Sequence, residues 1–155
     1  MIVETISEDY VSLLRGRAPR RFSLADTAIA PIEVLQMLAD VAVGVRATFS
    51  PASWLIVEDN EVVGLCSITR PPTSGVVDVG YGIAPSRQNR GLARRAIGDI
   101  VQWARNTPYV NALTAETSHS NLPSQSVLAR NGFYRVGERV DDEDGPLISW
   151  RCPTD

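Results

Sequence analysis

The chain of 155 residues contains no lysine, so all fifteen of its basic residues are arginine. That absence excludes a P-loop, whose lysine reaches the phosphates of a bound nucleotide. Histidine occurs once and cysteine twice. Cys66 and Cys152 are too few and too far apart for a disulfide framework, and no histidines stand around them at zinc-binding spacing. They read as reduced thiols, so a cytoplasmic location and no bound metal are expected. Acidic residues outnumber basic ones by 18 to 15, for a net charge of -3. Such a surface is poor footing for a protein that must neutralise nucleic-acid phosphates. No apolar run approaches the ~18 residues that a membrane span needs. The start, Met1-Ile2-Val3-Glu4-Thr5, lacks the basic segment and apolar core of a signal peptide. Neither nucleic acid nor a membrane is therefore an expected partner. Repeats and low-complexity segments are missing too.

What remains is an ordinary globular composition, 44% hydrophobic and 21% charged, at a length that fits one domain over residues 1–155. Leu35, Leu38, Val41, Ala42 and Val45 fall at helical spacing between Ile32 and Val45. The basic stretch Arg15–Arg21 before them reads as a solvated turn without a role. From Ser53 the period changes, and two strand-like runs, 54–57 and 62–68, flank the polar turn Glu58-Asp59-Asn60-Glu61 as a hairpin. After Pro71–Gly75 a strand is predicted from Val76 to Ala84. An amphipathic helix follows, carried by Leu92, Ala96, Ile97, Ile100, Val101 and Ala104. Val110 to Thr117 forms the next strand, and residues 133–140 and 147–152 a final hairpin across an acidic turn. The strand, crossover helix and strand from 76 to 117 predict a parallel pair with right-handed connection, and the remaining connections are antiparallel hairpins.

The densest chemistry lies in Gly80–Arg94, GYGIAPSRQNRGLAR, where a strand breaks at Ala84-Pro85-Ser86 and a glycine-bearing basic segment opens a helix. A helix start leaves backbone N–H groups without partners, and with the macrodipole those donors favour phosphate. Gln88 to Ala93 would supply this first turn. Gly91 and Ala93, having little or no side chain, would let a pyrophosphate reach the amides. A dinucleotide fingerprint does not fit, because Pro85 stands where its third glycine belongs. The segment does match Q-x-x-G-x-A, with a proline three residues before the glutamine. Downstream, Asn121-Leu122-Pro123-Ser124 and Gly132-Phe133 form an Asn-capped helix closed by glycine. The spacing is N-x-x-S with Gly-Phe eleven and twelve residues after the asparagine. Together and in this order, the two motifs resemble the GNAT superfamily of acetyl-CoA-dependent N-acetyltransferases, and in particular its ribosomal-protein and amino-terminal branch.

The resemblance implies an α/β (α+β) GNAT fold over nearly the whole chain: a mixed, mostly antiparallel twisted sheet, a central parallel strand pair that splays apart, and helices on both faces. It implies acetyl-CoA as cosubstrate, with Tyr81, Gly82 and Ile83 lining the pantetheine arm. The segment Gln88, Asn89, Arg90, Gly91, Leu92, Ala93 and Arg94 would hold the pyrophosphate, and Asn121 would complete the cofactor side. The family often has glycine at the position of Asn89, a mild departure, since asparagine tolerates a left-handed backbone. A strand N–H near Gly82 or Ile83 would stabilise the oxyanion. Glu116, five residues before Asn121, matches the general base of the ribosomal branch, and partial burial would raise its pKa toward a useful range. Asp78 is the fallback base, and His119 has a weaker claim. Many relatives place a tyrosine, the general acid, where this chain has Leu128. Ser124 or release of free thiolate would then take over protonation of the leaving group. The function so implied is acetyl transfer to a primary amine, on a protein amino terminus or a small molecule, by a monomer or homodimer. A non-catalytic CoA-binding sensor is the alternative. With no lysine present, no side-chain amine of the protein can acetylate itself.

Overall fold

The computed structural model describes residues 1–155. Chain order runs β1 (Ile2–Glu4), α1 (Ser7–Leu14), β2 (Ser23–Leu24), α2 (Ile32–Arg46), β3 (Ser53–Glu58) and β4 (Glu61–Ile68). It continues with β5 (Val76–Ile83), α3 (Leu92–Arg105), β6 (Ala112–Ser118), α4 (Leu122–Arg130), β7 (Tyr134–Asp141) and β8 (Gly145–Pro153). The strands form one eight-stranded sheet in the order β1-β3-β4-β5-β6-β8-β7, with β2 alongside β4. Only β2–β4 and β5–β6 are parallel, so the sheet is mixed and mostly antiparallel, as expected.

The β3–β4 hairpin closes through Asp59 and Asn60, both at positive φ (50° and 62°), a conformation these two residue types tolerate and that matches strand twist. From Val62 to Ile68, β4 is buried at every residue, because it lies centrally and is covered on both faces. Alternation of side chains then assigns each residue of the neighbouring strands to a face. Leu65 and Ser67 of β4, paired with Gly82 and Gly80 of β5, look toward α2. Trp54 and Cys66 look the other way, and Trp54 meets Trp103 of α3 edge-on with centroids 4.9 Å apart. Helix α3 buries Leu92, Ala96, Ile97, Ile100, Val101 and Ala104 against this second face, the set its 3.6-residue period predicts.

The pairing of β5 with β6 is short. It holds at Val76–Ala112, Val77–Leu113 and Asp78–Thr114 and then stops. Beyond that point β5 stays bonded to β4 as far as Ile83, and β6 stays bonded to β8 as far as Ser118. Each strand follows its outer neighbour, so the two centre strands part into a V. The wedge opens at their C-terminal ends, where both sequence motifs sit.

Candidate active site

The β5 side of the wedge presents backbone donors. Thr69 N–H donates to Asp78 O at 2.9 Å and Ala84 N–H to Val63 O at 2.7 Å. Alternation along an antiparallel ladder between these two bonds turns the N–H groups of Tyr81 and Ile83 away from β4, into the opening. Of the two oxyanion positions expected from the sequence, Ile83 has this orientation. Gly64 makes the close approach of the strands possible: a Cβ there would lie 2.3 Å from the Gly82 carbonyl oxygen. No motif in the sequence marks this glycine.

The segment expected to cradle a phosphate differs in detail from its expected form. Pro85–Arg87 is a single 3-10 turn, Gln88 is extended, and α3 starts only at Leu92. Gln88 to Gly91 are thus loop rather than first helical turn, because Asn89 (φ 64°) and Gly91 (φ 74°) both adopt the left-handed conformation that interrupts a helix. The helix still delivers its donors. Its first backbone bond runs from Arg95 N–H to Gly91 O, which leaves the N–H groups of Leu92, Ala93 and Arg94 without acceptors in the helix. No Cβ clash would arise at Gly91, around which nothing lies within 4 Å; open space and positive φ are its two requirements. The Gln88 side chain donates to the Ile83 carbonyl at 3.0 Å and ties the loop back to the end of β5. Arg90 and Arg94 are exposed beside the loop and have no ion-pair partner. Arg87 instead braces the loop, bonded to Glu61 at 2.6 Å and to Asp26 at 3.2 Å. These residues fit a pyrophosphate: a run of unpaired amides at a helix start, flanked by free guanidinium groups.

Across the wedge, Asn121 caps α4 by accepting the Ser124 N–H at 3.2 Å. Its side-chain oxygen is therefore engaged in the helix start. The Ser124 hydroxyl faces β5 and shares a 2.9 Å hydrogen bond with the Tyr81 hydroxyl. Burial pushes the Tyr81 phenol up, a shift that the Ser124 bond opposes. Sequence placed these two residues in separate motifs, and the fold brings their hydroxyls together at the opening. Leu128 is fully buried in the core, so its side chain packs between α4 and the sheet.

On the opposite face, carboxylates and an apolar groove lie near each other. Asp78 is buried and satisfied: Thr69 and Thr114 donate to its oxygens at 2.5 and 2.6 Å, and Arg70 lies 3.3 Å away. Glu116 shares this face, and Arg139 of β7 grips both its oxygens at 2.6 and 2.8 Å. The expected upward shift of the Glu116 pKa is not found. Hydrogen bonding from the Arg139 guanidinium, with its charge, outweighs desolvation and holds the carboxyl below its ordinary value. Arg139 lies 23 residues away on another strand, and no local pattern announces it. His119 is half-exposed and lies 3.3 Å from Glu138 of β7. Beside the carboxylates, a cavity of about 430 Å³ opens between α2 and the sheet. Its floor is Leu65, Ser67, Thr69 and the Gly80–Gly82 backbone. No cluster of three or more His, Cys, Asp or Glu side chains has metal-binding geometry.

Comparison with known proteins agrees with this architecture. Residues 9–134 match the acetyltransferase (GNAT) domain family. The uncharacterized N-acetyltransferase YjdG of Bacillus subtilis (strain 168) is 30% identical over 104 residues, which are 65% of this chain and 62% of that protein. The chain thus matches less than two thirds of that relative's length. Among solved structures, RimJ of Mycobacterium smegmatis, in complex with CoA-disulfide, superposes with a TM-score of 0.71 at 19% identity, covering 98% of this chain and 80% of that one. The ribosomal-protein-S5-alanine acetyltransferase of Vibrio fischeri gives 0.70 at 20% identity, covering 99% and 92%. With a domain match over most of its length and a sheet that splits where that fold should split, the chain belongs to the GNAT acetyltransferase family.

Proposed function

We propose that this protein transfers the acetyl group of acetyl-CoA to a primary amine, on a protein amino terminus or a small molecule, by direct attack on the thioester. The observation that carries this reading is the unpaired amide run of Leu92, Ala93 and Arg94 beside a wedge into which the Ile83 N–H is turned. The first feature suits a pyrophosphate and the second a developing oxyanion. Tyr81 and Gly82 would line the pantetheine arm, and Asn121 would act through the α4 start it caps. A CoA complex of RimJ and the S5-alanine acetyltransferase are among the proteins of like fold, which supports the cosubstrate and keeps protein amino termini among the acceptors.

Glu116 is the proposed proton acceptor, at a particular stage. A carboxylate held low by Arg139 is a weak base toward an ammonium ion. It suffices for a nitrogen whose acidity has risen because its bond to the carbonyl carbon is forming. Ser124, in contact with the Tyr81 hydroxyl, is the proposed donor of a proton to the leaving sulfur. The test is CoA thiol release from acetyl-CoA with a panel of amines, in the parent and in Glu116→Gln. Amine-dependent release that falls by about 10²–10⁴-fold in the variant, with CoA affinity retained, is the expected result. Tight CoA binding without release by any amine would favour the sensor reading, for which the tied state of Asp78 and Glu116 is the relevant observation.

A further inference from the structure

The cavity under α2 has a composition that constrains its occupant. Its walls are Ile29, Val34, Met37, Leu38 and Val41, above Leu65 on the floor, and no ionised side chain lines it. Ser67 and Thr69 supply the only side-chain hydroxyls on its floor apart from Tyr81, which points to Ser124 on the other face. Thr69 is committed to Asp78. The two carboxylates on this face are also committed, Asp78 to Thr69, Thr114 and Arg70, and Glu116 to Arg139. A cationic group entering here would lose its water and gain no counter-ion. A neutral amine on an apolar body would lose little and bury hydrocarbon.

Resting on the acetyltransferase reading, with the cavity under α2 as its acceptor site, we infer that the acceptor is a monoamine carried on an apolar body, bound uncharged, rather than a polyamine or another polycation. The ammonium form gives up one proton to water before binding. The neutral nitrogen then forms the N–C bond as the C–S bond breaks. One further proton leaves nitrogen and one ends on sulfur, so amide and CoA thiol are the products. Desolvation of the amine in the apolar cavity favours its neutral form, which relieves the protein of a strong base that its tied carboxylates do not provide.

The test measures kcat/KM for benzylamine and for spermidine with the parent protein, and repeats both with Met37→Glu. Met37 is half-exposed at the cavity rim, so its substitution leaves the core intact, and a thermal melt checks folding. Benzylamine should exceed spermidine by at least about 30-fold in the parent, on the order of one buried aromatic ring. Met37→Glu should narrow that ratio at least about tenfold, with acetyl-CoA affinity unchanged. A preference for spermidine, or an unchanged ratio in a folded Met37→Glu, overturns the acceptor inference and leaves acetyl transfer standing. Faster turnover of hexanoyl-CoA than of acetyl-CoA gives the cavity to the acyl chain and also overturns it. Absence of release with every amine overturns both readings.

Discussion

Replacing Gly91 separates the two requirements that the structure assigns to it. At φ 74° a side chain pays a left-handed backbone penalty of about 1–2 kcal/mol. The lower entropy of the unfolded alanine variant returns about 0.4–1 kcal/mol of this. Nothing within 4 Å would meet the new Cβ, so Gly91→Ala should destabilise by about 0–1.6 kcal/mol, or at most about 6 °C in Tm. Gly91→Glu shares that backbone effect and adds a charge. A carboxylate about 6 Å from one phosphate charge, at an effective dielectric of about 20, opposes binding by about 3 kcal/mol, which is about 100-fold in Kd. Calorimetric titration with acetyl-CoA, alongside a thermal melt, reads both quantities. The expected pattern is similar Tm values for the two variants and at least about 100-fold weaker binding for glutamate. A folded Gly91→Glu that binds acetyl-CoA as tightly as the parent would refute placement of the pyrophosphate at these amides.

Arg139→Gln releases Glu116 and so changes how stability depends on pH. Because Arg139 holds the folded-state carboxyl below its unfolded value, the pair's contribution is complete above the unfolded value and is lost as pH falls through the folded one. The variant should therefore melt lower at neutral pH and lose less stability than the parent as pH falls through and below the ordinary glutamate range; parallel Tm–pH curves would contradict this. Ser124→Ala should lower kcat by less than about tenfold, since a thiolate leaves readily at neutral pH, and a much larger loss at unchanged CoA affinity would make Ser124 the essential acid. Cys66 is fully buried, with its thiol pushed up to about 12 by desolvation. It should resist thiol reagents in the native protein and react on unfolding, and rapid labelling of Cys66 in the folded state would show that the centre of β4 is open to solvent.

Much of the scaffold was legible in local pattern. Apolar period located α2 to within a residue and picked out the buried stripe of α3, because helices that bury one stripe must repeat it every 3.6 residues. The β3–β4 hairpin followed from two apolar runs around Asp59-Asn60, which suit a tight turn. Asn121 and Gly132 marked the limits of α4, as cap and as left-handed residue (φ 89°). The start of α3 was misplaced by four residues, since the left-handed positions Asn89 and Gly91 look like part of a helix start when only residue types are read. Gly91 does stand, left-handed, immediately before the helix start.

Contacts between distant segments were not legible in the same way. The charge state of Glu116 depends on Arg139, brought beside it by the β6-β8-β7 strand order. The Tyr81–Ser124 contact needs the wedge to place β5 opposite α4. The apolar acceptor cavity needs α2 to lie over Gly80 and Gly82. By itself the sequence determined the elements, the glycine-bearing segment before α3 and the family, because these reside in spacing along one stretch of chain. Only the tertiary structure decided which carboxylates are already paired, which hydroxyls meet and what the acceptor would touch, because pKa and desolvation are set by neighbours in space and not by neighbours in sequence.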